Sequence, residues 1–169
     1  MKKLYTSILL LTLAFSACKK SGVNAIDPPV DNGKPVATNL NNDLLLKLVN
    51  DQRIAGCKCG SITYPPVAVL TWNNLLAGSA LAHSKDMNKN NFLEHTSSNG
   101  ATIGDRYTLA GYKWVAFGEN IGSGQTSEQQ IFTEWIKSEG HCKNIMSADF
   151  KEMGAARDGN YWTQDLGAR

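Results

Sequence analysis

Five side chains in the second half of the chain have the types that acid–base or metal chemistry needs. They are His95, Glu119, Glu134, Ser138 and His141, with Asn120 and Asn144 near them in sequence. Imidazoles and carboxylates act as general acids and bases, or as ligands to a divalent metal such as zinc. Glu134 and Ser138 are four residues apart in a predicted helix, so they share a face. His141 is expected at the C-terminal end of that helix, where the dipole favours imidazolium. A neighbouring carboxylate pushes the same way. Metals take the neutral ring, so a metal must displace that proton and binds less well as pH falls. His83 reads differently: it shares an apolar stripe with Leu76, Ala80 and Met87, which suits a hydrogen-bonded core histidine. A phosphate-binding glycine loop, a dinucleotide fingerprint, a Gly-x-Ser-x-Gly elbow and a His-Glu-x-x-His pair are all missing from the sequence.

The elements that must position these groups follow from periodicity and caps. Residues 42–55 read as a helix with Leu44, Leu45, Leu48 and Val49 on one face, capped by Asn41 or Asn42 and ended by Gly56. The segment CKCGSITYPP reads as a turn-rich connection, with Pro65-Pro66 excluding helix. A second helix is expected over 70–92, a short one over 103–112, and a strand over 113–121. A capping box of Ser127 and Gln130 opens the helix that leads to Gly140. Residues 151–159 and 161–169 read as two strands joined at Asp158-Gly159-Asn160. Interspersed helices and strands with a closing hairpin predict an α+β fold with an antiparallel or mixed sheet.

The N-terminal segment has a different composition. Lys2 and Lys3 precede the apolar run ILLLTLAF and then small residues, the pattern of a secretory signal peptide over 1–17. The run is shorter than the ~20 residues a spanning helix takes. Phe15-Ser16-Ala17-Cys18 resembles a lipobox with Phe where Leu is usual, which implies acylation of Cys18 and a membrane anchor. Residues 18–39 are rich in Pro, Gly, Asn and Asp and read as a tether, leaving 40–169 as one domain. The absence of an acidic run after Cys18, where Lys19-Lys20 stands, favours a periplasm-facing anchor in the cell envelope. Removing Lys2 and Lys3 from 17 basic residues leaves 15, against 15 acidic ones. A neutral mature chain without a Lys/Arg cluster argues against nucleic-acid binding.

Three cysteines remain beyond Cys18: Cys57, Cys59 and Cys142. Export favours disulfides. Cys57 and Cys59 are too close in sequence for an easy bridge to each other, whereas either can reach Cys142. Two rival readings stand beside this: a zinc site of Cys57, Cys59 and His141, and Cys142 as a nucleophile activated by His95.

The stretches HTSSNGATIGDRYTLAGYKW, GENI, EWIKSEGHCKNIM and YWTQDLG, in that order, resemble the CAP superfamily of cysteine-rich secretory, antigen 5 and pathogenesis-related-1 proteins. The resemblance runs from about Leu44 to Gly167. It implies an α-β-α sandwich around an antiparallel sheet, with a cleft lined by two histidines and two acids. It assigns the histidines to His95 and His141 and the GEN acid to Glu119, a set that binds a divalent metal in some members. At the fourth position Ser138 stands where relatives carry an acid, and Glu134 is the nearest substitute. The resemblance also implies a Cys59–Cys142 disulfide, and packing roles for Trp72, Trp114, Trp135 and Trp162. It implies an extracytoplasmic binding module for an envelope glycan, lipid or peptide. The alternative is a zinc-assisted hydrolase with His95, Glu119 and His141 as ligands and Glu134 as base.

Overall fold

The computed structural model describes residues 32–169. The signal-peptide segment, Cys18 and most of the tether lie outside the described residues. Residues 32–39, expected as tether, are bonded to the domain. Leu75 donates its N–H to the Asn32 carbonyl, and Arg157 donates its own to Thr38.

Helix α1 spans Asn42–Ala55, with the Asn41 side chain accepting from the Leu44 N–H and Gly56 at φ 70° ending it. Its inward row is Leu45, Val49 and Arg53, spaced by one turn. Leu44, expected inside, is 38% exposed. The turn-rich segment folds as a small hairpin of β1 (Cys57–Cys59) and β2 (Ile62–Tyr64), with Cys57 opposite Tyr64 and Cys59 opposite Ile62. Strand β3 (Thr71–Trp72) occupies residues expected in the second helix. The helix, α2, starts later, at Asn74–Asn90, because the Asn73 side chain accepts from the N–H groups of Leu75 and Leu76 and fixes its first turn there.

Helix α3 spans Ile103–Leu109 behind a Thr102/Asp105 capping box, and β4 spans Ala116–Ser123. The helix expected to run on to Gly140 is two helices. α4 (Glu128–Lys137) stops at Ser138, whose ψ of 124° is extended, and α5 (Glu139–Met146) begins directly after it. Strands β5 (Glu152–Asp158) and β6 (Tyr161–Ala168) close the chain as the expected hairpin. The sheet order is β3-β5-β6-β4. β4, β6 and β5 are antiparallel, and the two-residue β3 lies parallel to β5 at the edge.

Strand alternation divides the two sides of the sheet. Met153, Ala155, Trp162 and Leu166 face a core built with Leu45, Val49, Ile131, Trp135, Ile145 and Met146 from α1, α4 and α5. The opposite face meets α2, whose Ser84 hydroxyl bonds Thr163 Oγ1 at 2.9 Å. The result is the α-β-α sandwich. Trp135 and Trp162 are buried in it, while Trp114 is 38% exposed and packs edge-on against Phe117. Arg53, fully buried, donates to the carbonyls of Ala68, Ile145, Ser147 and Phe150. A disulfide joins Cys59 to Cys142 across 83 residues, a loop whose closure lowers unfolded-state entropy by an amount equivalent to roughly 4–5 kcal/mol. Among the described residues, no helix is long and apolar enough to cross a membrane.

The approach of α2 to β5 is set by Gly154, where an added Cβ would lie 2.1 Å from the Ala77 backbone nitrogen. Backbone cannot yield as a side-chain tip does, so Gly154→Ala is expected to destabilise the domain by about 3 kcal/mol or more. Denaturant unfolding checks this, and a loss below about 1 kcal/mol contradicts the contact.

Candidate functional site

Glu119 is the centre of the site. It sits on β4 with a side chain fully shielded from solvent. A buried carboxylate needs partners, and it has two. Arg106 from α3 donates to Oε2 at 2.5 Å, and His95 Nδ1 donates to Oε1 at 2.8 Å. Arg106 also donates to the His95 carbonyl at 2.9 Å and to Ser97 Oγ at 3.1 Å. One guanidinium therefore fixes both the acid and the loop that carries His95. With Nδ1 committed to Glu119, the Nε2 edge of His95 is left for a ligand, and the ring is half exposed.

His83 lies beneath this pair, fully buried on α2 as its apolar stripe predicts. Its Nε2–H donates to the Glu94 carbonyl at 2.9 Å, and Nδ1 accepts from Ser97 Oγ at 3.4 Å. Nε2 stands 3.8 Å from Glu119 Oε1, but burial lowers the pKa of His83 despite that acid. We therefore assign it as a neutral ring that positions the 94–97 loop.

His141 comes from the other side. Residues of β4 alternate, so Asn120 faces α5 while Glu119 faces α2 and α3. Asn120 donates to the His141 carbonyl at 3.2 Å and to Gln164 Oε1 at 2.9 Å. Asn144 donates to Asn120 Oδ1 at 2.9 Å and to the Glu119 carbonyl at 3.1 Å. These amides bind α5 to the edge strand. His141 is thus in the first turn of α5, not at the end of a helix, and the sequence expectation of an imidazolium is corrected. A helix N-terminus disfavours positive charge, burial lowers the His141 pKa, and His95 lowers it further. The His95 pKa is raised, chiefly by its hydrogen bond to Glu119. The site holds one cation-leaning and one neutral imidazole.

His141 opens on a groove of about 320 Å³ with Glu134, Ser138, Leu93, Ile121 and Trp135 in its walls. Three predicted site residues, Glu134, Ser138 and His141, are therefore together. The Glu134 side chain is 54% exposed and is paired with Lys137 at 3.3 Å, and Ser138 marks the break between α4 and α5. Glu119 is not in this groove. Its two oxygens are held by His95 and Arg106. His95 Nε2 and the His141 ring are the imidazole nitrogens a divalent cation would meet here, while the group of three close donor side chains among the described residues is Cys57, Cys59 and Cys142. The His95–Glu119 bond is then the carboxylate–imidazole contact that sets ring orientation and basicity.

Two participants gave no signal in sequence. Arg106 is an isolated cation in a short helix. Asp165 lies opposite Glu119 in the β4–β6 register and is fully buried. Its carboxyl group meets the side chains of Ser79 and Glu119. Burial and then Glu119 push its pKa well above the usual carboxylate range, which makes it a neutral acid. The alternation of YWTQDLGA is the one clue to its inward position.

The sulfur chemistry is also narrower than the sequence allows. With Cys59 and Cys142 bonded, neither the zinc site of Cys57, Cys59 and His141 nor a Cys142 nucleophile is available. Cys57 keeps a free thiol, its pKa raised by burial.

Comparison with known proteins gives a consistent result. Residues 46–166 match the cysteine-rich secretory protein (CAP) family. A Bacillus subtilis (strain 168) protein named "Uncharacterized protein YkwD" is 35% identical over 93 residues, 54% of this chain and 36% of that protein. The chain thus spans about a third of that curated relative. An extracellular protein containing an SCP domain from Bacillus anthracis superposes with TM-score 0.64 at 23% identity, covering 81% of this chain and 45% of the other. An outer surface protein from Borrelia burgdorferi does so with TM-score 0.65 at 17% identity, covering 75% and 91%. These two likenesses bear on the fold.

The electrostatics give an expected titration. By ring-proton NMR, His95 titrates above the ordinary ~6.5 and His141 below it. The His95 contribution to stability is complete below pH ~6.5 and is lost as pH rises through its raised pKa. For His141 the sign reverses, and stability is lost as pH falls below ~6.5. Glu119→Gln is expected to lower the His95 midpoint and to cost about 3–5 kcal/mol, because Arg106 is left buried without its counter-charge. An unchanged His95 midpoint in that variant contradicts the assignment.

Proposed function

We propose a function from one premise: the chain belongs to the cysteine-rich secretory protein family. In this reading the domain is an extracytoplasmic binding module. The supporting observation is the pairing of a charge-raised His95 with a neutral His141, beside a groove whose walls include Leu93, Ile121 and Trp135. Such a surface suits a ligand with an anionic oxygen for His95 Nε2 and a less polar face for the groove. Among envelope glycans, lipids and peptides, a carboxylate-bearing glycan fragment has that character. The basic-then-apolar N-terminus and Phe15-Ser16-Ala17-Cys18 support attachment to the membrane through an acylated Cys18, with the domain facing the periplasm.

A resident divalent cation would be held by His95 Nε2 and His141 and would supply a Lewis-acidic centre at the mouth of the groove. The two modes have opposite pH signs. Anion binding to protonated His95 weakens as pH rises through its raised pKa, whereas metal binding weakens as pH falls.

Calorimetric titration with soluble peptidoglycan fragments tests the proposal. His95→Ala and His141→Ala are each expected to weaken binding at least tenfold, about 1.4 kcal/mol. Glu134→Gln should change it less than threefold, because that acid is exposed and paired with Lys137. If both histidine variants bind like the parent, the site is elsewhere.

A further inference from the structure

Three sulfurs meet where the β1–β2 hairpin packs against α5. Cys57 and Cys59 are two residues apart in β1, so both side chains leave the same face of the strand. Cys57 Sγ is 3.5 Å from Cys142 Sγ and 3.7 Å from Cys59 Sγ. Both bonded cysteines are fully buried, whereas Cys57 is only partly so. An external thiol therefore has no direct path to the Cys59–Cys142 bond, and the one sulfur it can approach already touches both ends of that bond. We propose that Cys57, Cys59 and Cys142 form a thiol–disulfide exchange site, in which one disulfide migrates between Cys59–Cys142 and Cys57–Cys142 and so becomes accessible to thiols outside the protein.

The step balances without an oxidant. The Cys57 thiolate attacks Cys142 Sγ, a Cys57–Cys142 bond forms, the Cys59–Cys142 bond breaks, and Cys59 leaves as thiolate. Cys59 takes up the proton that Cys57 gave up, so no net oxidation occurs. Cys142 stays bonded in both isomers, and the free thiol alternates between the other two. Attack on Cys59 instead would bridge strand residues i and i+2, whose Cα atoms are about 6.6 Å apart, near the limit for a disulfide. At nearly equal distances from both sulfurs, Cys57 lies beside the bond and not in line with it. It must swing about its side-chain torsion before attack. In the migrated isomer the partly exposed Cys57 sulfur is the one a small thiol attacks, which releases Cys57 as a mixed disulfide and Cys142 as a thiol.

The test uses the full chain, oxidised, with exchange quenched in acid before denaturation and maleimide labelling. Trypsin cuts after Lys58 and separates Cys57 from Cys59 for mass spectrometry. Label is expected on both Cys57 and Cys59, and not on Cys142. Label confined to Cys57, or label on Cys142, overturns the proposal. Reduction of the native protein by dithiothreitol supplies a kinetic readout. Cys57→Ser is expected to slow loss of the disulfide at least tenfold, and an unchanged rate overturns the proposal. In Cys59→Ser, a Cys57–Cys142 disulfide is expected, and a folded variant with both thiols free overturns it. If that variant does not fold, the labelling and the reduction rate decide.

Discussion

A carboxylate taken out of water has to be met by charge or by donors, and at Glu119 this constraint arranges one whole side of the molecule. Arg106 must come down from α3, so α3 needs its capped start at Thr102. The 94–97 loop must pass close enough for Arg106 to hold the His95 carbonyl and for His83 to hold that of Glu94. His95 is then aimed by the acid it bonds. Removing Arg106 would leave a bare anion, and removing Glu119 would leave a bare cation. Such pairs contribute little net stability compared with apolar packing, but breaking them is costly. The neutral Asp165 beside them fits the same logic, since a second anion at that depth would be desolvated and repelled by Glu119.

The other side of the site depends on a discontinuity. An unbroken helix through Ser138 would rotate His141 and Cys142 away from their present directions. The break restarts the helical phase, so Cys142 points into the core toward Cys59 while His141 stays at the groove. The Asn120–Asn144–Gln164 amides then hold the restarted helix to β4. Because β4 is an edge strand, its two faces present the two halves of the site around one border.

Much of this was legible in sequence, and the failures have physical causes. Helix faces such as Leu76, Ala80, His83 and Met87 came through because periodicity reports burial directly. The closing hairpin came through because Asp158-Gly159-Asn160 is a strong turn signal. The histidines and Glu119 were reached through a family resemblance, not through spacing, since they converge only in three dimensions. The helix break at Ser138 was missed because Gly140 reads as the stop signal of the preceding helix. The direction of the His141 charge argument was wrong for that reason. The second helix was placed too early because Asn73 as a cap competes poorly, on paper, with the apolar residues before it. Arg106 left no pattern, and Asp165 only the strand alternation around it, because a single charged residue looks the same on a surface as in a core.

Arg53 has a consequence for how the domain is assembled. Its guanidinium is satisfied by carbonyls at residue 68 and at residues 145, 147 and 150. Helix α1, near the start of the domain, therefore has no satisfied docking position until the chain beyond residue 150 is present. A chain that closed before then would have to bury a cation without acceptors. Docking of α1 is therefore tied to the carboxyl-terminal half of the domain, which favours closure in one cooperative step.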